Sequence, residues 1–187
     1  NLHPHMRLFT ALDPPDAVRD QLATLQAPGD LDARWTDPEQ FHVTVRFIGD
    51  ANPNQAARYE EALAQINAPA VVCQPYGLDV LPSRRNPRVL IVGLDRSDDL
   101  MALYEAVSEA LEGEGLDPED RTYRPHVTLA RLNDVPAATV HDFLTAHDAD
   151  SLDPFRVDAL HLYESTLTQE GAVHDRRASI LLAPPNA

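Results

Sequence analysis

Lysine is absent from this 187-residue chain, and all 15 of its basic residues are arginines. A Schiff base, a lysyl-nucleotide adduct and a Walker-type phosphate lysine are therefore all excluded. Cysteine is nearly absent too. Cys73 stands alone, which rules out an internal disulfide and a zinc site built from several thiolates. It lies in the apolar run Val71-Val72-Cys73 and reads as an inert core thiol. No apolar stretch is long enough for a membrane span, and no charged-then-apolar signal segment opens the chain, so a cytoplasmic location is expected. Residues 1–5, with His3 and His5, read as a cloning remnant or disordered start ahead of Met6.

Positive charge is also short: 30 acidic residues outnumber the basic ones and give a net charge of −15. Such a field repels long polyanions and disfavours a protein that coats or tracks nucleic acid. A small phosphorylated ligand needs only a local positive pocket. The hydrophobic share of 43% suits a folded soluble protein, and the length suits one substantial core or two small lobes.

What is present is a duplication. Phe41-His42-Val43-Thr44-Val45 and Pro125-His126-Val127-Thr128-Leu129 read alike, whereas the 8 histidines and 10 threonines of this chain supply roughly 0.4 His-x-Thr triplets by chance. In a strand, side chains alternate faces, so each His and Thr share one face while their apolar neighbours take the other. Residues i and i+2 are about 6.5–7 Å apart, a span suited to one phosphate-sized group. Two opposed imidazoles can move a proton in and a proton out near neutral pH. Two hydroxyls can donate to non-bridging oxygens as charge builds on phosphorus. No carboxylate cluster or His-rich spacing accompanies them, so no metal or cofactor is called for. The outfit suits phosphodiester transesterification or hydrolysis.

The chain around the motifs repeats as well. Strands are predicted over 6–12, 40–48, 70–81, 88–94, 155–163 and 172–182, with a kink in the third at Pro75-Tyr76-Gly77. Helices are predicted after Pro14-Pro15, from about Asn54, over 97–112 with Ser97 as cap, and over 137–147. Strand, helix, His-Thr strand, helix, strand thus occurs over about 6–81 and again over about 88–163. His42 lies 29 residues before Val71, and His126 lies 29 before Phe155. Two related α+β lobes with a cleft on an approximate two-fold axis follow, forming one bilobal domain over 6–187.

These residues resemble the 2H phosphoesterase superfamily, and within it the RNA 2′,3′-cyclic phosphodiesterases, also called 2′-5′ RNA ligases. The resemblance rests on Arg7-Leu8-Phe9-Thr10-Ala11-Leu12, Phe41 to Phe47, Arg124 to Arg131 and Leu162-Tyr163-Glu164-Ser165. It implies an α+β fold of two pseudo-symmetric lobes, each a mainly antiparallel sheet with helices packed outside and the active site between them. It also implies opening of a 2′,3′-cyclic phosphate to a 2′-phosphate, with His126 as base, His42 as acid, and Thr44, Thr128 and Arg131 holding the phosphate. With a ribose 5′-hydroxyl in place of water, the same chemistry makes a 2′-5′ linkage. The implied partners are RNA or nucleotides ending in a cyclic phosphate; no protein partner or membrane is implied, and a monomer is expected.

Other residues receive weaker assignments. Tyr123 is a candidate for stacking on a base or for plain packing, Phe9 stands similarly with the core favoured, and Arg46 is placed in register with His42 and Thr44 on the cleft face. Arg84-Arg85-Asn86-Pro87-Arg88 either meets an RNA backbone or solvates a loop. His141 and His147 read as solvated or half-packed, and His161 and His174, outside any motif, as structural. The competing readings are a non-catalytic binding module for nucleotides or RNA ends, and a phosphodiesterase for another small cyclic phosphate such as an oligoadenylate or ADP-ribose cyclic phosphate.

Overall fold

The computed structural model describes residues 6–147 and 152–183; residues 1–5, read from sequence as a remnant or disordered start, lie outside that range. The first half runs β1 (Met6–Leu12), α1 (Asp16–Ala23), β2 (Ala33–Trp35), a 3-10 turn (Pro38–Gln40), β3 (Val43–Ala51), α2 (Pro53–Ala64), β4 (Val71–Cys73) and β5 (Pro75–Pro82). The second runs β6 (Pro87–Leu94), α3 (Asp98–Glu112), β7 (His126–Leu132), α4 (Ala137–Ala146), β8 (Phe155–Val157) and β9 (Ala159–Thr168), and β10 (Gly171–Leu181) closes the chain.

Local chemistry accounts for the helices. Asn52 and Gln55 form a reciprocal capping box at the start of α2, with Pro53 in the first turn. In α3, Leu100, Leu103, Val107 and Leu111 fall on one stripe and are all buried. Ser97 makes no side-chain capping bond there, contrary to the sequence expectation. Asp99, in the first turn, instead accepts the Val72 N–H at 2.9 Å and ties β4 to the helix.

The two lobes share one sheet. Strand order is β10-β9-β1-β3-β7-β6-β5, with β2 also paired to β7. Each half brings its own antiparallel strands, and they join along β7, where β3 meets it at one pair, Val43 with Val127, and β2 at three, Ala33 to Trp35. These two valines hold the same place in the two motifs, so the approximate two-fold axis passes between them. The strands expected over 70–81 and 155–163 each break in two, at Gln74-Pro75 and at Asp158. The outer pieces, β4 and β8, leave the large sheet and pair with each other through Val72 and Arg156, again equivalent positions.

Both motif strands carry a β-bulge at the same place. Thr10 and Ala11 of β1 pair with Arg46 and Thr44, skipping Val45; Leu90 and Ile91 of β6 pair with Ala130 and Thr128, skipping Leu129. The bulge corrects the placement of Arg46, which sequence alternation put on the cleft face. Arg46 turns inward and is 1% exposed, beside Thr10, whose hydroxyl accepts the Arg46 N–H. Its guanidinium donates to the Asp117 carbonyl at 2.7 Å and pairs with Glu119 at 2.9 Å, clamping the α3–β7 loop to β3. Glu119 also accepts the Tyr104 hydroxyl at 2.6 Å.

Removing one member of a buried ion pair leaves the other uncompensated. Glu119→Ala is expected to cost about 2 kcal/mol, below the full figure for a buried pair because Glu119 is itself one-third exposed. Urea unfolding of the two proteins checks it.

Candidate active site

The seam between the lobes gathers the duplicated side chains. Val43, Val45, Val127 and Leu129 are fully buried, while His42, Thr44, His126 and Thr128 are half-buried on the opposite face. His42 and Thr44 flank Val43, and His126 and Thr128 flank its partner Val127. The antiparallel run sets Thr44 on the His126 side of that pair and His42 on the Thr128 side.

The two imidazoles are held in the same way. His42 Nδ1 lies 2.8 Å from the Gln40 carbonyl, and His126 Nδ1 lies 2.7 Å from the Arg124 carbonyl. A carbonyl only accepts, so each Nδ1 carries a proton and each Nε2 is left for a ligand. Burial lowers the pKa of both rings. The surroundings then differ: the Asp13 carboxylate opposes the fall at His42, whereas the Arg124 guanidinium adds to it at His126. The charge of His126 also depresses His42, so the two rings share one electrostatic site.

The bulges bring one more residue of each strand to this face. Five positions after each histidine stand Phe47 and Arg131, paired with Phe9 and Val89. Both are exposed. The two-fold symmetry breaks here, with an aromatic on one side and a cation on the other. Behind Phe47 lies a cluster of rings. Phe9 is 2% exposed and touches His42 at 5.1 Å, stacks on Tyr163 at 5.4 Å and meets His174 edge-on at 4.9 Å, all between centroids. His174 in turn meets His42 edge-on at 5.2 Å. Burial and the neighbouring His42 push its pKa down to about 4, so it stays neutral.

Asp13 anchors the far side of this cluster. Its carboxylate accepts the Tyr163 hydroxyl at 2.7 Å and Arg176 Nη2 at 2.6 Å, with His161 Nε2 3.6 Å away. Burial, then the bond to Asp13, pushes the Tyr163 hydroxyl up to about 12. A cavity of about 70 Å³ opens among Asp13, His42, Tyr163 and His174. On the other lobe Gly93 pairs with His126, and a β-carbon added at Gly93 would collide with the Tyr76 ring at Cζ. Tyr76 therefore lies over Gly93 beside His126, its hydroxyl donating to Asp79 at 3.1 Å. A larger cavity of about 190 Å³, between β5 and α4, has none of the four motif residues in its lining.

The other sequence candidates are dispersed. Tyr123 stacks flat on Tyr104 at 4.4 Å and donates its hydroxyl to the Thr44 carbonyl at 2.8 Å, so it braces β3. Arg46 is buried away from the site, as above. In the 84–88 stretch, Arg84 lies 3.6 Å from Asp79 and Arg88 3.8 Å from Asp134. Asp13, Tyr76, Gly93 and the two histidines left as structural, His161 and His174, border the site without any motif to announce them. Tyr163 had a signal in the stretch 162–165, and Phe47 and Arg124 lay inside the two motif stretches.

Comparison with known proteins bears on the family and the fold. The model of the LigT-like phosphoesterase family matches residues 12–91 and again 92–174, once per half. An Aeropyrum pernix RNA 2′,3′-cyclic phosphodiesterase is 30% identical over 161 residues, covering 84% of this chain and 88% of its own. Its Archaeoglobus fulgidus namesake is 26% identical over 171 residues, covering 90% and 96%. The crystal structure of E. coli LigT complexed with 3′-AMP superposes with a TM-score of 0.76 at 18% identity, covering 96% of this chain and 99% of that one. A Thermus thermophilus structure gives a TM-score of 0.74 at 23% identity, covering 97% and 100%.

The collision at Gly93 generates a test. Gly93→Ala is expected to cost about 1–3 kcal/mol by overpacking, and less in a Tyr76→Ala background where the colliding ring is gone. Unfolding free energies of the four proteins in that cycle check it.

Proposed function

The chain belongs to the LigT-like phosphoesterase family of enzymes, and on that premise we propose that it opens 2′,3′-cyclic phosphate ends of RNA to 2′-phosphates by two-histidine acid–base catalysis. The observation that carries this reading is the pair of His-Thr couples rising from one face around the Val43–Val127 seam.

In this mechanism His126 Nε2 takes a proton from water as the water oxygen bonds to phosphorus. The P–O3′ bond breaks, and His42 Nε2–H delivers its proton to the departing 3′-oxygen. The histidines finish with exchanged protonation states and reset through solvent. The order is supported by their neighbours: Asp13 favours the charged form of His42, and Arg124 the neutral form of His126. Thr44 and Thr128 donate to the non-bridging oxygens, which gain charge in the transition state. Arg131 adds a fixed positive charge on the same face. With a ribose 5′-hydroxyl in place of water as the nucleophile, the same step forms the P–O5′ bond as P–O3′ breaks and joins ends through a 2′-5′ bond. Phe9 enters as the wall that seats His42, and RNA supplies the substrate; no step is routed through a metal or cofactor.

Product analysis on a cyclic-phosphate-ended RNA is expected to yield a 2′-phosphate, with activity retained in EDTA; a 3′-phosphate product overturns the reading. His42→Ala and His126→Ala are each expected to lower kcat by about 10²- to 10⁴-fold in steady-state assays. Asp13→Asn removes the charge that raises the His42 pKa, so His42 loses its proton at lower pH. Since the acid must be protonated, the alkaline limb of the kcat/KM profile is expected to move toward acid. Movement of the acidic limb instead would exchange the two roles.

A further inference from the structure

Arg34 and Arg131 are direct partners in the β2–β7 ladder. Directly opposed residues of an antiparallel pair put their side chains on one face, and like charges in that arrangement repel. The face is the one that carries Thr128. The adjacent pair, Trp35 with Ala130, points to the core, and the Leu129 bulge leaves Arg131 on the same side as Thr128. Both arginines are exposed, and neither side chain makes a hydrogen bond or ion pair among the described residues. Other exposed arginines, such as Arg58 and Arg156, are equally unpaired among the described residues, so what sets this couple apart is its direct opposition on the site face. Arg7, Arg46, Arg84, Arg88, Arg176 and Arg177 each have a carboxylate within 4 Å. Asp32, just before β2, accepts Asn133 Nδ2 at 3.1 Å and makes no ion pair with Arg34.

The Arg34 guanidinium is also located. It lies against the turn of the β9–β10 hairpin, where a β-carbon added at Gly171 would come 3.8 Å from its Cζ. The same hairpin reaches the site at His174, whose N–H donates to Gln40 Oε1 at 3.3 Å and whose ring meets His42. The guanidinium thus stands at the rim of the site, one strand beyond Arg131.

We propose that Arg34, acting beside Arg131, forms a second phosphate subsite that takes the phosphodiester on the 5′ side of the nucleoside bearing the cyclic phosphate. The inference rests on the function proposed above. A cyclic phosphate at a 3′ end has no phosphate beyond it, so any further anion of the substrate lies on the 5′ side. A mononucleoside cyclic phosphate engages Arg131 through its reacting phosphate but lacks that second anion and leaves Arg34 uncompensated. A guanidinium fork matches phosphate oxygens, and its charge works locally against the repulsive field of the whole chain. The subsite makes an RNA end the preferred substrate class over a free cyclic mononucleotide.

The test compares one nucleoside 2′,3′-cyclic phosphate with the same compound carrying a 5′-phosphate, for the wild type and Arg34→Gln. The wild type is expected to favour the 5′-phosphorylated compound by about tenfold or more in kcat/KM, chiefly through KM, as suits one charged hydrogen-bonded contact. Arg34→Gln is expected to erase that preference while leaving the plain nucleoside cyclic phosphate turned over as before, and to flatten the salt dependence of KM. Equal kcat/KM for the two compounds in the wild type, a preference that survives Arg34→Gln, or an equal loss on both compounds overturns the subsite. Failure of the wild type to turn over either compound overturns the proposed function and the subsite with it.

Discussion

One backbone pairing sets the centre of the candidate site. Val43 and Val127 meet where β3 and β7 touch, and no other residues of those two strands are paired with each other. Both valines are fully buried, which fixes the opposite face of each strand toward the opening. From that one contact the four motif side chains acquire their arrangement. A one-residue slip would exchange valine for histidine on both faces at once, so core burial and site geometry constrain the same register.

The second shared feature is the bulge, and it shows how a duplicated scaffold becomes a directional site. At the same position in each half it adds a residue and brings the fifth residue after the histidine onto the site face. In one half that residue is Phe47 and in the other Arg131. The residue turned inward is Arg46 in one half, which needs Glu119 and the Asp117 carbonyl to satisfy it, and Ala130 in the other, which needs nothing. Around nearly equivalent imidazoles, the neighbours then take opposite sign: Asp13 beside His42, Arg124 beside His126. Equal backbones with unequal surroundings are what an acid and a base require of the same residue type.

The motifs and the order of elements were legible in the sequence because both are local. Period-two alternation identified the faces of the His-Thr strands, and apolar spacing of 3.6 identified α3 with its four buried apolar residues. The repeat was visible because spacing along the chain survives where residue identity does not. Reading Arg46 failed because alternation assumes an unbroken strand, and nothing in Val43-Thr44-Val45-Arg46 announces an extra residue. The single strands expected over 70–81 and 155–163 failed for a related reason. The choice to leave the large sheet at Gln74-Pro75 and at Asp158 is made by β4 and β8 together, each half supplying the other's partner.

The sequence by itself determined the chemistry available: two His-Thr couples, no lysine, one buried thiol, and the alternation that presents imidazole and hydroxyl together. Tertiary structure alone decided which residues surround them. Tyr163 reaches Asp13 from 150 positions away, Tyr123 reaches Thr44 from 79, and Arg34 meets Arg131 across a strand pair that joins the two halves. The physical reason is one of range. Face and period arise from bonded geometry within a few residues, whereas a pKa, a wall or an unpaired charge depends on groups that only the folded sheet brings into contact.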